Sequence, residues 1–240
     1  MFANASSLWR EITAGRGAAR REESLAAVRA YLDGIAERSG FPVREEWADF
    51  PENYAAQTQM AWKKGRDHHL VRLRRGYPEP AWHHILAHEA THIDFEAKAR
   101  ALGRNRWFTV NDDTRRKALR QMEPDLRRIA RQGHSAERLA ALVSKLLEGA
   151  AGLLFNTPID MAIESRLARE LPVLREAQLL SLDTLAREAA ALSTHREIRQ
   201  ITPERILAVN DTLNAAAALF LRDRSEEHTS ELQSLRHLVC

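Results

Sequence analysis

Residues 76–80, Gly-Tyr-Pro-Glu-Pro, divide the chain between two folding regimes. A glycine and two prolines in five positions cannot sit inside a helix or a central strand, so regular structure must restart there. Ahead of the break, Glu22–Arg38 places Leu25, Val28, Leu32 and Ile35 at spacings of three and four. That spacing predicts an amphipathic helix, with Ser24 as its cap and Ser39-Gly40 and Pro42 as its end. From Phe41 to Arg75 the period changes. Val43, Trp47 and Phe50 lie in a weakly strand-like stretch, and Ala55–Lys63 and His68–Arg74 flank Lys64-Gly65-Arg66 as a hairpin would. Leu70–Arg74 is the clearest strand, and its arginines suit an exposed edge.

Beyond the break, Pro80 suits the first turn of a helix. The remainder reads as helices over Ala81–Leu102, Thr114–Arg131, Glu137–Phe155, a segment opened by Asn156-Thr157-Pro158 and ending at Glu170 before Pro172, then Asp183–Leu192 and Pro203–Leu221. Asp112, Asp113 and Ser135 stand where N-caps belong, and Gly103 and Gly133 where helices break. The predicted fold class is α+β. One domain is expected over 1–223, with an N-terminal helix and small antiparallel sheet in 22–75, a helix over 81–102, another over 157–171 and a helical remainder to 222.

With 240 residues, 44% of them hydrophobic, the chain can bury a real core. Its 36 Lys and Arg against 33 Asp and Glu leave a small excess, with arginines and glutamates interspersed along the helices. No nucleic-acid partner is therefore expected. A single cysteine, Cys240, excludes a disulfide framework and a cysteine-built zinc cluster. No uninterrupted apolar run of about 18 residues is present and no secretion signal is expected at the N-terminus, so a cytoplasmic chain without membrane contact is expected. The oligomeric state leaves no sequence signal.

Arg224–Cys240, RSEEHTSELQSLRHLVC, closely resembles the in-frame translation of a sequencing adapter, with Leu235 and Arg236 where a variable index falls. The resemblance implies that the native sequence stops near Asp223 and that the natural protein continues. It also implies that His228, His237 and Cys240 carry no biological information.

The chemistry-bearing pattern is His88-Glu89-Ala90-Thr91-His92, an HExxH sequence inside the helix that follows the break. Histidines four residues apart stand one turn apart on one helix face, where two imidazoles can grip one Zn2+. Glu89 then projects toward a metal-activated water and can accept its proton as it attacks a carbonyl. A catalytic zinc usually takes three protein ligands. Glu96 and His84 lie along the same straight helix, so the third ligand is expected from another one. Asn156–Glu164 fits best, because Ile159, Ile163 and Leu167 mark a buried face and Asp160 and Glu164 lie one turn apart beside it. Acids adjoining a core are costly unless paired or metal-bound. Glu164 is the expected ligand. Asp160, which a helix N-terminus already favours, would orient a histidine or replace Glu164 as ligand.

HEATH on one helix and a glutamate on a later one, 72 residues beyond His92, resemble the gluzincin group of zinc metallopeptidases over roughly Phe41 to Pro172. The resemblance implies a zincin-like, thermolysin-like scaffold and one zinc held by His88, His92 and Glu164. It also implies peptide-bond hydrolysis with Glu89 as base, a peptide or protein substrate, and an edge strand that binds it in extended form. Ala168 stands where these enzymes usually carry Asp four residues after the glutamate. Such chemistry needs an oxyanion donor. His195, in Ser193-Thr194-His195-Arg196, is the candidate, with Tyr54 and Tyr77 as others. His68, His69, His83 and His84 are expected bystanders, His134 turn punctuation, and Trp62, Trp82 and Trp107 core residues. The alternative function is a catalytically idle zincin-like binding or regulatory module of a longer chain.

Overall fold

The computed structural model describes residues 17–50, 54–105, 110–133 and 135–226. Trp107, His134 and residues 227–240, with His228, His237 and Cys240, lie outside the described residues. The chain forms two compact units: Met1–Asn105 with Ile163–Leu182, and Arg106–Ala162 with Asp183–Cys240. The described elements are mainly helices, with one three-stranded mixed sheet, an α+β composition.

The first unit opens with helix α1 (Gly17–Ser39), which buries Val28, Leu32 and Ile35 as its period requires. It packs on α3 (Ala81–Ala101), the helix that carries the histidines. Between them lie β1 (Val43–Ala48), β2 (Ala56–Gln59), a single helical turn α2 (Ala61–Lys64) and β3 (His69–Arg74). The sheet order is β1-β3-β2, with β1 parallel and β2 antiparallel to β3.

Two expectations change here. The sheet is mixed, and Leu70–Arg74 is its central strand instead of its edge. The arginines that suggested an edge are accommodated on one face of the centre. Arg72 pairs with Glu46 on β1 at 3.3 Å and covers the Phe50 ring, while Arg74 covers Tyr77. The opposite face buries His69, Val71 and Leu73. Lys64-Gly65-Arg66 does connect an antiparallel pair, but through α2 and not a tight turn. Gly65 closes that helix at φ 61°, in the left-handed region that glycine enters without a Cβ penalty. His69 supplies the reason for the extra turn, since its Nδ1 accepts the Ala61 N–H at 3.0 Å and satisfies a helix-start amide.

The second unit begins with α4 (Asp112–Ala130). Its cap is Asn111, whose side chain accepts the Thr114 N–H at 2.8 Å; Asp112 and Asp113, expected as caps, occupy the first turn. Ser135 does cap the next helix, accepting from the Arg138 N–H at 3.3 Å. That helix, α5, runs unbroken from Ala136 to Glu170, so Asn156-Thr157-Pro158 lies inside it and opens nothing. Proline lacks an N–H and removes one rung of the hydrogen-bond ladder, while the turns on either side persist. Thr157 Oγ1 donates to the Leu153 carbonyl at 2.8 Å beside the missing rung. By length and composition α5 can cross a membrane, with a mean hydropathy of 1.4 over its most apolar window. A single helix of this kind is weak evidence and assigns no membrane contact by itself.

The last two turns of α5, from Ile163, return to the first unit. A short 3-10 turn (Pro172–Leu174) leads into α6 (Arg175–Thr194), which starts well ahead of the expected Asp183. Its first turns bury Ala177, Gln178 and Ser181, a largely polar face that hydrophobic periodicity does not register. Helices α7 (Arg196–Ile201) and α8 (Glu204–Glu226) complete the second unit, where α8 contacts α4.

Candidate metal centre

Helix α3 displays His84, His88 and His92 at intervals of four residues. Each interval turns the helix about 400°, so successive rings drift some 40° around the axis. The drift runs from core to surface: His84 is fully buried, while His88 and His92 are half-buried. Neighbouring ring centroids lie 6.0 Å and 5.0 Å apart.

Glu164, in the α5 segment of the same unit, is buried and faces this row. Its Oε2 accepts from His84 Nε2 at 2.9 Å and from Gln178 Nε2 at 2.6 Å, and its Oε1 accepts from His88 Nδ1 at 2.7 Å. Burial pushes the Glu164 carboxyl up. The attraction and hydrogen bonds of His84 and His88 outweigh that and hold it well below the usual carboxylate range. A carboxylate only accepts, so His84 in its neutral form carries its proton on Nε2, and its Nδ1 accepts the Ser181 hydroxyl at 2.8 Å. On the far side of His88, Nε2 faces His92 Nε2 at 3.2 Å.

Glu89 lies next along α3, half-buried. Its Oε2 accepts from the Thr58 hydroxyl of β2 at 2.5 Å. Strand β2 has β3 on one side only among the described residues, so this contact joins a sheet edge to the helix.

A second cluster holds the elements in place. Asp94, fully buried, receives Arg38 Nε from α1 at 2.7 Å, Lys98 Nζ at 2.7 Å and Arg166 Nη1 from α5 at 2.5 Å. Burial raises its carboxyl, but the hydrogen bonds from Lys98, Arg38 and Arg166 bring it down to about 2. Tyr31 on α1 meets Thr91 at 3.0 Å, and Arg166 covers the rings of Tyr31 and Phe95.

His84, His88 and Glu164 bring ligand atoms within 4.8 Å of one another, a set that can hold a metal ion. Imidazole and carboxylate donors suit zinc and its neighbours. His84 is thus part of the cluster and not the bystander its helix position suggested. Its signal in the sequence is a histidine four residues ahead of HExxH, on the same helix face. Gln178 and Ser181 had no comparable signal. Asp160 lies one turn before Glu164 on α5, within the second unit. His195 also belongs to the second unit, at the start of α7. Tyr54 is exposed, whereas Tyr77 is buried beneath Arg74. Glu96, set aside as a ligand, accepts from Trp62, Lys63 and Asn105. His68 pairs with Asp67, and His83 bonds Ser24. Trp62 and Trp82 pack edge-on against His69 and His83.

Compared with known proteins, the chain matches no family model, and no curated protein and no solved structure matches it significantly.

Proposed function

We propose that this chain is a zinc-dependent peptidase of zincin-like type. The observation that carries the reading is the placement of Glu89. Its carboxylate is steadied by Thr58 from a sheet edge and adjoins, on the same helix, a cluster of histidines and a carboxylate that can hold a cation. His88 and His92 hold the ion in this proposal, through ring nitrogens that face each other at 3.2 Å. Bound zinc polarises a carbonyl and acidifies water. Glu89 takes the proton from the attacking water and returns it to the leaving amine. The outer edge of β2 offers backbone groups to an extended peptide, which brings the scissile bond to Glu89.

One observation favours the non-catalytic alternative: Glu164 is satisfied by three protein donors, so the cluster is also coherent as an architectural network. Metal analysis of the purified chain, with hydrolysis of a quenched fluorescent peptide library, separates the two. About one zinc per chain and chelator-sensitive cleavage are expected. A folded chain that takes up no metal on reconstitution overturns the proposal.

A further inference from the structure

The ring nitrogen through which Glu164 meets His88 decides what that carboxylate does. Imidazole nitrogens point their protons or lone pairs away from each other across the ring. Glu164 Oε1 engages Nδ1 of His88 at 2.7 Å, whereas Nε2 of the same ring faces His92 Nε2 at 3.2 Å. For a tetrahedral ion with bonds of 2.0–2.1 Å, two ligand nitrogens stand ~3.3 Å apart. The His88–His92 nitrogen pair already has that separation. One carboxylate oxygen cannot serve Nδ1 and also reach an ion on Nε2.

We infer that Glu164 is a positioning residue for His88 and not a metal ligand, an assignment that rests on the zinc-dependent reading above. By accepting the Nδ1 proton, Glu164 fixes the tautomer in which Nε2 carries the lone pair, and it holds the ring plane toward His92. It is itself fixed from behind. Gln178 Nε2 donates both to its Oε2 and, at 3.1 Å, to its backbone carbonyl. His84 donates from a ring anchored by Ser181. Ser181, His84, Glu164 and His88 therefore form a chain of hydrogen bonds that leads from the core to the ligand nitrogen. The competing arrangement places the ion among His84 Nε2, His88 Nδ1 and Glu164. It has the right donors, but His84 is fully buried and Glu164 is 5% exposed. Such a site leaves no open position for substrate, which catalysis by a metal requires. The assignment leaves the third protein ligand to a group other than Glu164.

Cobalt(II) titration of the full chain, read by its visible absorption, tests this on wild type, Glu164→Gln, His84→Gln and His92→Gln. Glu164→Gln is expected to bind one cobalt with an unchanged spectrum and affinity weaker by roughly 10- to 100-fold. His84→Gln is expected to keep the stoichiometry and spectrum, and His92→Gln to lose both. A changed or absent cobalt spectrum in Glu164→Gln or His84→Gln overturns the assignment, whatever His92→Gln does. Nitrogen-15 shifts of His88 in the metal-free wild-type chain give a measurement that needs no variant. Protonation on Nδ1 is expected, and protonation on Nε2 refutes the proposal. Wild type that binds no cobalt removes the zinc-dependent reading itself, and with it this inference; uptake by wild type with an altered Glu164→Gln spectrum removes the inference alone.

Discussion

Thr58 of strand β2 donates its hydroxyl proton to Glu89 Oε2 at 2.5 Å, so the sheet edge fixes the direction of the carboxylate beside the histidine row. This contact ties a strand to a side chain 31 positions away that no local pattern connects to it. Thr58→Val keeps the shape of the residue and removes the donor. Peptide hydrolysis by this variant is expected to fall about tenfold in kcat, equivalent to ~1.4 kcal/mol, with zinc content unchanged. Unchanged turnover would show that Thr58 does not orient the base.

Glu89→Gln keeps the size and polarity of the side chain but cannot accept a proton. It is expected to retain zinc while hydrolysis drops by roughly 10²- to 10⁴-fold, the ordinary range for a general base. Metal content and single-turnover cleavage measured on the same preparation check this. Full activity would remove Glu89 from the mechanism.

Asp94 and Arg166 form the buried centre of the brace that joins α1, α3 and the end of α5. Removing one partner of a buried ion pair typically costs about 3–5 kcal/mol. Arg38 and Lys98 are partly exposed and can turn to water, which places the effect toward the lower end for Asp94→Asn. Urea unfolding of Asp94→Asn and Arg166→Met is expected to show losses of this order. The acid dependence follows from the same group. The Asp94 carboxyl is held at about 2, below its ordinary 3.8, so its contribution is complete above pH ~4 and disappears as the pH falls through about 2. Asp94→Asn should flatten that part of the stability profile.

His69 acts at milder pH. Burial, with His68 adding to it and Glu96 opposing, lowers its pKa from 6.5 to about 4. The folded chain therefore favours the neutral ring, which accepts from Ala61 and donates to Ser39. Its contribution is fully present above pH ~6.5 and is lost as the pH falls toward 4, on the order of 3 kcal/mol by linkage. Stability measured from pH 7 to pH 4 should fall in wild type and change less in His69→Gln.

The two folding regimes on either side of Gly76–Pro80 were legible because proline and glycine act locally. So was HExxH, whose spacing has meaning only on a helix. Glu164 was legible through Ile163 and Leu167, which are buried, because an acid beside a buried face needs a partner; Ile159, expected on the same face, is exposed. The sheet order was not. Arg72 and Arg74 look like edge residues until Glu46 and the rings of Phe50 and Tyr77 are seen around them. Pro158 reads as a helix start in the sequence because a proline at a first helical turn and one inside a long helix leave the same local signal. The early start of α6 leaves no apolar pattern, because Gln178 and Ser181 are buried for their hydrogen bonds and hydrophobic periodicity registers only apolar burial.

The first unit is discontinuous: its sheet and histidine helix precede Asn105, while Ile163–Leu182 brings Glu164, Gln178 and Ser181. During synthesis the imidazoles emerge dozens of residues ahead of the groups that set their proton positions. At about 5–20 residues per second, the interval lasts several seconds. A nascent chain therefore exposes the HExxH imidazoles seconds before Glu164, Gln178 and Ser181 exist to bond with them or with one another.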